Sequence, residues 1–263
     1  MSKKRVRTIT QFSILSSLVF AVVFWGAGHA AAPAGAAVAS PGSAAVEKAA
    51  KDNKYLFIFF WKDDTQHSRA MRGVFQAAMA KLTATAQSVE IQTDDSAEQP
   101  IVERYGVSRA PMPMVLAIAP NGAITKGLPT WFDENQLRQA FVSPSTANCM
   151  KDLQERKFVL LCVQRPSAGV GETAIPTGVK EFIADPQYAQ YTKVEVLNPG
   201  DAAETAFLKS LQVDPQTAAP VTVLMSPPSS VVGTFAGDVT KEQLVTKLKA
   251  AQSSCGPGCA CHH

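Results

Sequence analysis

Five donor side chains close this sequence: Cys255-x3-Cys259-x-Cys261-His262-His263 gathers three sulfurs and two imidazoles within nine residues. Thiolate with imidazole suits zinc or, being soft, Cu(I). Gly256, Pro257 and Gly258 give the backbone the turns that wrapping one ion demands. The spacing matches neither the Cys-x-x-Cys of zinc knuckles nor the Cys-x-x-Cys-His of haem attachment. A local disulfide, or a chain end without a role, competes with the metal reading. The other two of the five cysteines, Cys149 and Cys162, stand apart from the tail. Cys162 sits inside an apolar run, where a thiol is usually buried and inert. Cys149 falls at a junction between two halves of the chain, and sequence leaves open whether it pairs with Cys162.

A second chemistry-bearing stretch is the polar turn Lys62-Asp-Asp-Thr-Gln-His-Ser68. Thr65 and Ser68 are hydroxyls at a helix start, where capping is their ordinary use. His67 has no Cys or acid at ligand spacing, and Asp63 and Asp64 suit a solvated helix start. Nothing in the turn meets the nucleophile-plus-base requirement of covalent catalysis, so an enzyme is the lesser expectation here.

The elements around that turn explain why it matters. Tyr55-Leu-Phe-Ile-Phe-Phe-Trp61 is the pattern of a buried strand, and Met71, Val74, Phe75, Ala78 and Leu82 recur at helical spacing after the turn. Then come an alternating strand over Ser88–Thr93, a helix opening near Pro100 and closing at Tyr105-Gly106, an apolar run from Met114 to Ala119, and Pro120-Asn-Gly122 as a hairpin turn. Asp133-x-x-Gln136 is a capping box for a further helix ending near Phe141. This βαβαββα order, with Tyr-Gly-Val before a proline, resembles the thioredoxin superfamily. The match places Thr65, Gln66, His67 and Ser68 on the family's Cys-x-x-Cys, so both redox sulfurs are replaced. It places Pro113 on the family's cis-proline, with Pro111 as competitor. The resemblance implies that Thr65, Gln66, His67, Ser68, Met112 and Pro113 border a groove for an extended peptide.

From Lys157 the pattern begins again: strands at Phe158–Gln164 and Tyr191–Leu197, helices over about 176–184 and after Asp201-x-x-Glu204 as a capping box, a hairpin spanning Val221–Phe235, and a last helix opened by Thr240-x-x-Gln243. Pro113 and Pro220, Gln136 and Gln243, and Leu137 and Leu244 all stand 107 residues apart, the constant offset of an internal repeat. The second turn, Gln164-Arg165-Pro166-Ser167, also lacks cysteine. The expected fold class is therefore α/β, two tandem thioredoxin-like domains over residues 44–145 and 146–251, with a flexible N-terminal tether and a C-terminal tail over 252–263.

Address and charge narrow the function. Lys3, Lys4, Arg5 and Arg7, an apolar run from about Phe12 to Ala27 and the small residues of Gly28-His29-Ala30 form a secretory signal over residues 1–30. The apolar run is short of the ~20 residues of a comfortable span, which disfavours the competing uncleaved anchor. Residues 31–43, rich in Ala, Gly, Pro and Ser, are the tether. Removing the leader's four basic residues from 25 leaves 21 against 22 acidic ones, scattered rather than gathered on a stripe, which excludes a nucleic-acid binder. The sequence thus predicts a periplasmic or secreted protein without a membrane span after cleavage. Its expected partner is another exported protein or an extended peptide, and its tail is a candidate zinc or copper site. The alternative is thiol-disulfide exchange through Cys255 and Cys259.

Overall fold

The structure is a computed structural model that describes residues 40–164 and 175–254, with side chains described as far as residue 251. The leader, the second turn beyond Gln164, and the tail cysteines and histidines lie outside the described residues. The first half runs α1 (Pro41–Lys51), β1 (Tyr55–Trp61), α2 (Gln66–Ala80), β2 (Ala86–Gln92), α3 (Gln99–Arg104), β3 (Met114–Ile118), β4 (Ile124–Pro129) and α4 (Glu134–Arg138). The second half runs α5 (Pro144–Gln154), β5 (Phe158–Val163), α6 (Thr177–Ala184), α7 (Pro186–Ala189), β6 (Thr192–Leu197), α8 (Thr205–Ser210), β7 (Val221–Ser226), β8 (Ser230–Ala236) and α9 (Lys241–Ser254).

Each half builds a four-stranded mixed sheet, in the orders β2-β1-β3-β4 and β6-β5-β7-β8. In both, the first strand pairs parallel with the second and antiparallel with the third, and the third and fourth form a hairpin. The parallel pair is joined by a helical crossover, as parallel strands require. Alternation along β1 divides its side chains between two layers. Phe57 and Phe59 meet Met71, Phe75 and Leu137 of α2 and α4. Leu56, Ile58 and Phe60 meet Ala49, Ile101 and Val102 of α1 and α3. Covering both faces is what turns β1 into a continuous apolar run. The second sheet repeats this, with α5 and α8 on one face and α6 and α9 on the other. Two tandem thioredoxin-like folds are therefore present, as the sequence implied, and the Met112–Pro113 bond is cis while the bond before Pro111 is not.

The repeat is finer than the sequence showed. Left-handed residues recur in pairs: Asn53 and Arg156 after the first helix of each half, Gly106 and Gln212, and Thr130 and Gly237. The backbone N–H of Thr130 donates to the Pro113 carbonyl at 2.7 Å, and that of Gly237 to the Pro220 carbonyl at 2.8 Å. A buried carboxylate also recurs. Glu98, 4% exposed, accepts the Gly42 N–H at 2.9 and 3.2 Å, and Glu204, 3% exposed, accepts the Ser143 hydroxyl at 2.6 Å. Glu98 thereby takes an orphan N–H at the start of α1, and Glu204 takes the hydroxyl of the residue that caps α5. In Gly42 a Cβ would stand 2.5 Å from Glu98 Oε2, so only glycine admits this approach.

Three expectations need correction. Order does not wait for Ala44: Ser40 caps α1, accepting from Ser43 N–H, and Pro41 occupies its first turn. Ser-Pro at a helix start is a capping signal, hidden here within Ala/Gly/Ser-rich composition. No helix is expected between Phe141 and Lys157, yet α5 lies there, capped by Ser143 with Pro144 inside, the counterpart of α1. Asp201-x-x-Glu204 is not a capping box either: Asp201 accepts from Ala203 N–H, and Glu204 turns away to Ser143.

The halves meet through α5. Gln154 lays its amide along edge strand β4, accepting the Ile124 N–H at 2.9 Å and donating to the Ile124 carbonyl at 2.7 Å. Asn121 donates to Asn148 at 3.0 Å, and Asn148 in turn donates to Glu195 at 3.1 Å. Tyr55 Oη donates to the Val142 carbonyl and accepts its N–H, both at 3.0 Å. Beside them an apolar hollow of about 550 Å³ is lined by Phe141, Val142, Pro144, Met150 and Phe207.

Candidate functional site: a hydroxyl turn facing an exposed tryptophan

The polar turn leaves β1 at Trp61 and enters α2 at Gln66. Thr65 has extended backbone, and its Oγ1 accepts the Ser68 N–H at 3.1 Å while donating to Ser68 Oγ at 3.1 Å. The two residues that replace the sulfurs are thus bonded to each other and to the helix start. Ser68 is buried and Gln66 is exposed.

Arg72, one turn into α2, fixes the turn from below. Its guanidinium stands 4.5 Å from the Trp61 ring centroid, a cation–π contact. It also reaches Asp64 Oδ1 at 3.2 Å and Glu90 Oε2 on β2 at 3.1 Å. Asp64 takes a second partner in Arg69 at 3.2 Å. The two arginines thereby tie Asp64, and the turn with it, to α2.

His67 stands in the first turn of α2, beside the loop that follows β4. Its ring lies 4.1 Å, centroid to centroid, from that of Trp131, tilted by 50°, and among the described residues its shielded Nδ1 makes no hydrogen bond. Trp131 is 69% exposed. It follows Thr130, a β-branched residue held at φ 58°, a conformation that costs such residues about 1–3 kcal/mol. Three bonds hold Thr130 there: its N–H to Pro113 at 2.7 Å, its hydroxyl to the Pro129 carbonyl at 2.8 Å, and the neighbouring Trp131 N–H to that same carbonyl at 2.7 Å. The loop after β4 is thereby tied to the Pro113 loop and sets Trp131 over His67.

Pro113 is buried and Met112 partly so. Among the described residues the N–H and C=O of Met112 enter no hydrogen bond. The cleft beside Met112, lined also by Lys62, Asp94 and Gln99, measures about 190 Å³, less than the ~300 Å³ at which ligand pockets begin. At that size the cleft is no small-molecule pocket. Of the six groove residues read from the sequence, His67 meets Trp131, Thr65 meets Ser68, and Pro113 joins the same rim through Thr130. Trp131 was missed, though a tryptophan between a turn and a capping box was a usable signal, since Trp is enriched at binding surfaces.

The described cysteines take no part. Cys149, on α5, packs on one face of the second sheet and Cys162 points to the α6/α9 layer on the other, so the sheet separates them and both are free thiols. Burial pushes the Cys162 thiol up to about 12, although a hydrogen bond with Thr222 opposes it. Burial raises Cys149 further, helped by the charges of Glu195, Asp152 and Glu204. Neither is a nucleophile near neutrality. Among the described residues no group of three or more His, Cys, Asp or Glu forms a metal cluster, and no helix is long and apolar enough to cross a membrane.

No protein-family model matches this chain, and no curated protein matches it. Among solved structures, the first two thioredoxin domains of Saccharomyces cerevisiae Eps1p share 10% identity over 80% of this chain and 96% of that one, at a TM-score of 0.31. The same pair from Naumovozyma dairenensis Eps1p shares 11% over 83% and 98%, again at 0.31. The germline-specific thioredoxin Deadhead of Drosophila melanogaster shares 19% over 39% of this chain and 91% of that one, also at 0.31. Superpositions this loose carry no argument about activity. The fold rests on the chain itself, whose two sheets have the strand order, strand directions and helix layers of a thioredoxin-like domain twice over.

Proposed function

We propose that this chain is an exported, redox-inactive thioredoxin-like protein that binds extended polypeptide, with another exported protein as its partner. The observation that carries the reading is the Thr65–Ser68 pair: thiol exchange needs a thiolate and a resolving thiol, and here two mutually bonded hydroxyls stand in their places. Beside them lies what a binding role requires. Trp131 offers an exposed aromatic face on His67, and the free N–H and C=O of Met112 can pair with an extended backbone, as in strand addition. The tail, Cys255, Cys259, Cys261, His262 and His263, is proposed to hold zinc or Cu(I). Its thiols must lose protons to bind, so affinity weakens as pH is lowered.

Insulin reduction by the chain with Cys255, Cys259 and Cys261 replaced by serine tests the folded part, and the expected rate is that of buffer. A rate equal to wild type in a redox-active protein would contradict redox inactivity. The metal content of the reduced protein, beside a chain ending at Ser254, tests the tail; equal content in the two removes it.

A further inference from the structure

The hollow of about 550 Å³ between α5, α8 and the chain leaving α4 has the volume of a ligand cavity, and the peptide-binding reading makes no use of it. Its walls are apolar at Phe141, Val142, Pro144, Met150 and Phe207. Three hydroxyls also line it, and each spends its hydrogen within the protein. Ser143 Oγ donates to Glu204 Oε2 at 2.6 Å, Thr146 Oγ1 donates to the same oxygen at 3.5 Å, and Ser210 Oγ donates to the Phe207 carbonyl at 2.7 Å. A hydroxyl whose hydrogen is spent offers only lone pairs. The hollow thus presents acceptors on an apolar wall, and no charged side chain lines it.

Comparing the two repeats shows what is missing there. In the first, both oxygens of Glu98 accept the Gly42 N–H, an approach that only glycine admits. In the second, Ser145 stands where Gly42 stood, 103 residues on, and Glu204 turns to the hydroxyls instead. Every side-chain bond it accepts falls on Oε2. Among the described residues Oε1 has no donor, and no lysine, arginine or histidine pairs with this carboxylate, although it is 3% exposed. Its two hydroxyl partners and its chain neighbour Ala203 all line the hollow. An acceptor this deep lacks a donor, and an ammonium would bring donors and charge together. A carboxylate ligand would meet lone pairs and Glu204, and find no cation.

We propose that this hollow binds a small primary amine with an apolar body. The body lies against Phe141, Met150 and Phe207, and the ammonium donates to Thr146 Oγ1 and to the spare oxygen of Glu204. The site stands apart from the groove at Trp131 and requires no thiol.

Titrating the full chain under reductant with 2-phenylethylamine, 2-phenylethanol and 3-phenylpropionate, each to about 20 mM to reach the weak affinity of so small a ligand, tests this by nuclear magnetic resonance. The amine should give saturable shifts centred on Thr146, Met150 and Phe207. The alcohol, a neutral donor, should bind at least about fivefold more weakly, and the acid should not saturate. Ala206→Trp, at an exposed position on the wall, should melt as wild type does and bind the amine at least about tenfold more weakly, since the indole fills the space. Glu204→Gln keeps an acceptor for Ser143 and removes the charge, so the amine should then bind no tighter than the alcohol. An amine that gives no saturable shift in wild type, or shifts centred elsewhere, overturns the proposal. So does an acid or alcohol that matches the amine, or an Ala206→Trp chain that binds it like wild type. Should either variant fail to fold, the ranking of the three probes on wild type and the place of their shifts decide.

Discussion

Replacing Thr65 and Ser68 together by cysteine should convert the turn into a redox couple, because every other part of that unit is in place. The two Oγ atoms stand 3.1 Å apart at the first turn of α2; the longer Cβ–S bonds bring sulfurs at these positions within range of a 2.05 Å disulfide. In the reduced variant the Thr65 cap is lost, costing about 1 kcal/mol. A chain of this size then melts about 2–4 °C lower. Closing a loop of four residues returns roughly 2 kcal/mol in the chain-entropy account. The oxidised form should thus melt above the reduced one by about 4–8 °C and slightly above wild type. At the helix start, unpaired N–H groups lower the exposed thiol into about the 3.5–7.5 range, so it is largely ionised at neutral pH. Made in a chain whose tail cysteines are serine, the variant should reduce insulin where its parent does not. Thiols that neither form a disulfide nor ionise early would refute the placement of Thr65 and Ser68 on a redox scaffold.

Thr130→Gly should not lower the melting temperature: relief of about 1–3 kcal/mol of backbone strain offsets the roughly 0.5–1 kcal/mol of added chain entropy and the about 1 kcal/mol of the lost hydroxyl bond to Pro129, and the second repeat already has Gly237 there. A lower melting temperature in calorimetry contradicts this. In the reduced, metal-free native protein, a thiol reagent at pH 8 should count three reactive cysteines and reach Cys149 and Cys162 only on unfolding, since burial raises both; five fast thiols would contradict it. The Lys241–Asp185 ion pair at 2.8 Å lowers Asp185 below 3.8 and raises Lys241 above 10.5. Its stabilisation is therefore complete between those values, lost on the acid side as pH falls from 3.8 through the lowered Asp185 range, and lost on the alkaline side as pH rises through the raised Lys241 range. The stability difference between wild type and Asp185→Asn should follow that plateau in denaturant titrations, and a difference that persists at pH 2 counts against it.

The scaffold was legible because its signals are local. Tyr55–Trp61 announces a strand covered on both faces, the Asp133 and Thr240 capping boxes form as written, and the 107-residue offset gives the tandem plan. What stayed hidden depends on contacts between distant residues. Glu204 fits capping-box spacing, yet its partner is Ser143, 61 residues earlier, and only the folded chain brings them together. The fate of Cys149 and Cys162 turns on which face of a sheet each occupies, which cysteine spacing does not encode. Trp131 joins His67 only because the hairpin of β3 and β4 returns the chain to the end of β1 where the turn begins.

The central claim, that the turn, Met112 and Trp131 form a thiol-independent surface for extended polypeptide, is tested most directly by titrating the protein with a reduced, carboxymethylated unfolded polypeptide while following Trp131 fluorescence against a Trp131→Phe reference. With no thiol available for exchange, the account predicts a saturable change that Trp131→Phe removes and His67→Ala weakens at least several-fold. An unchanged Trp131 signal throughout the titration, or a change that His67→Ala leaves intact, would contradict it.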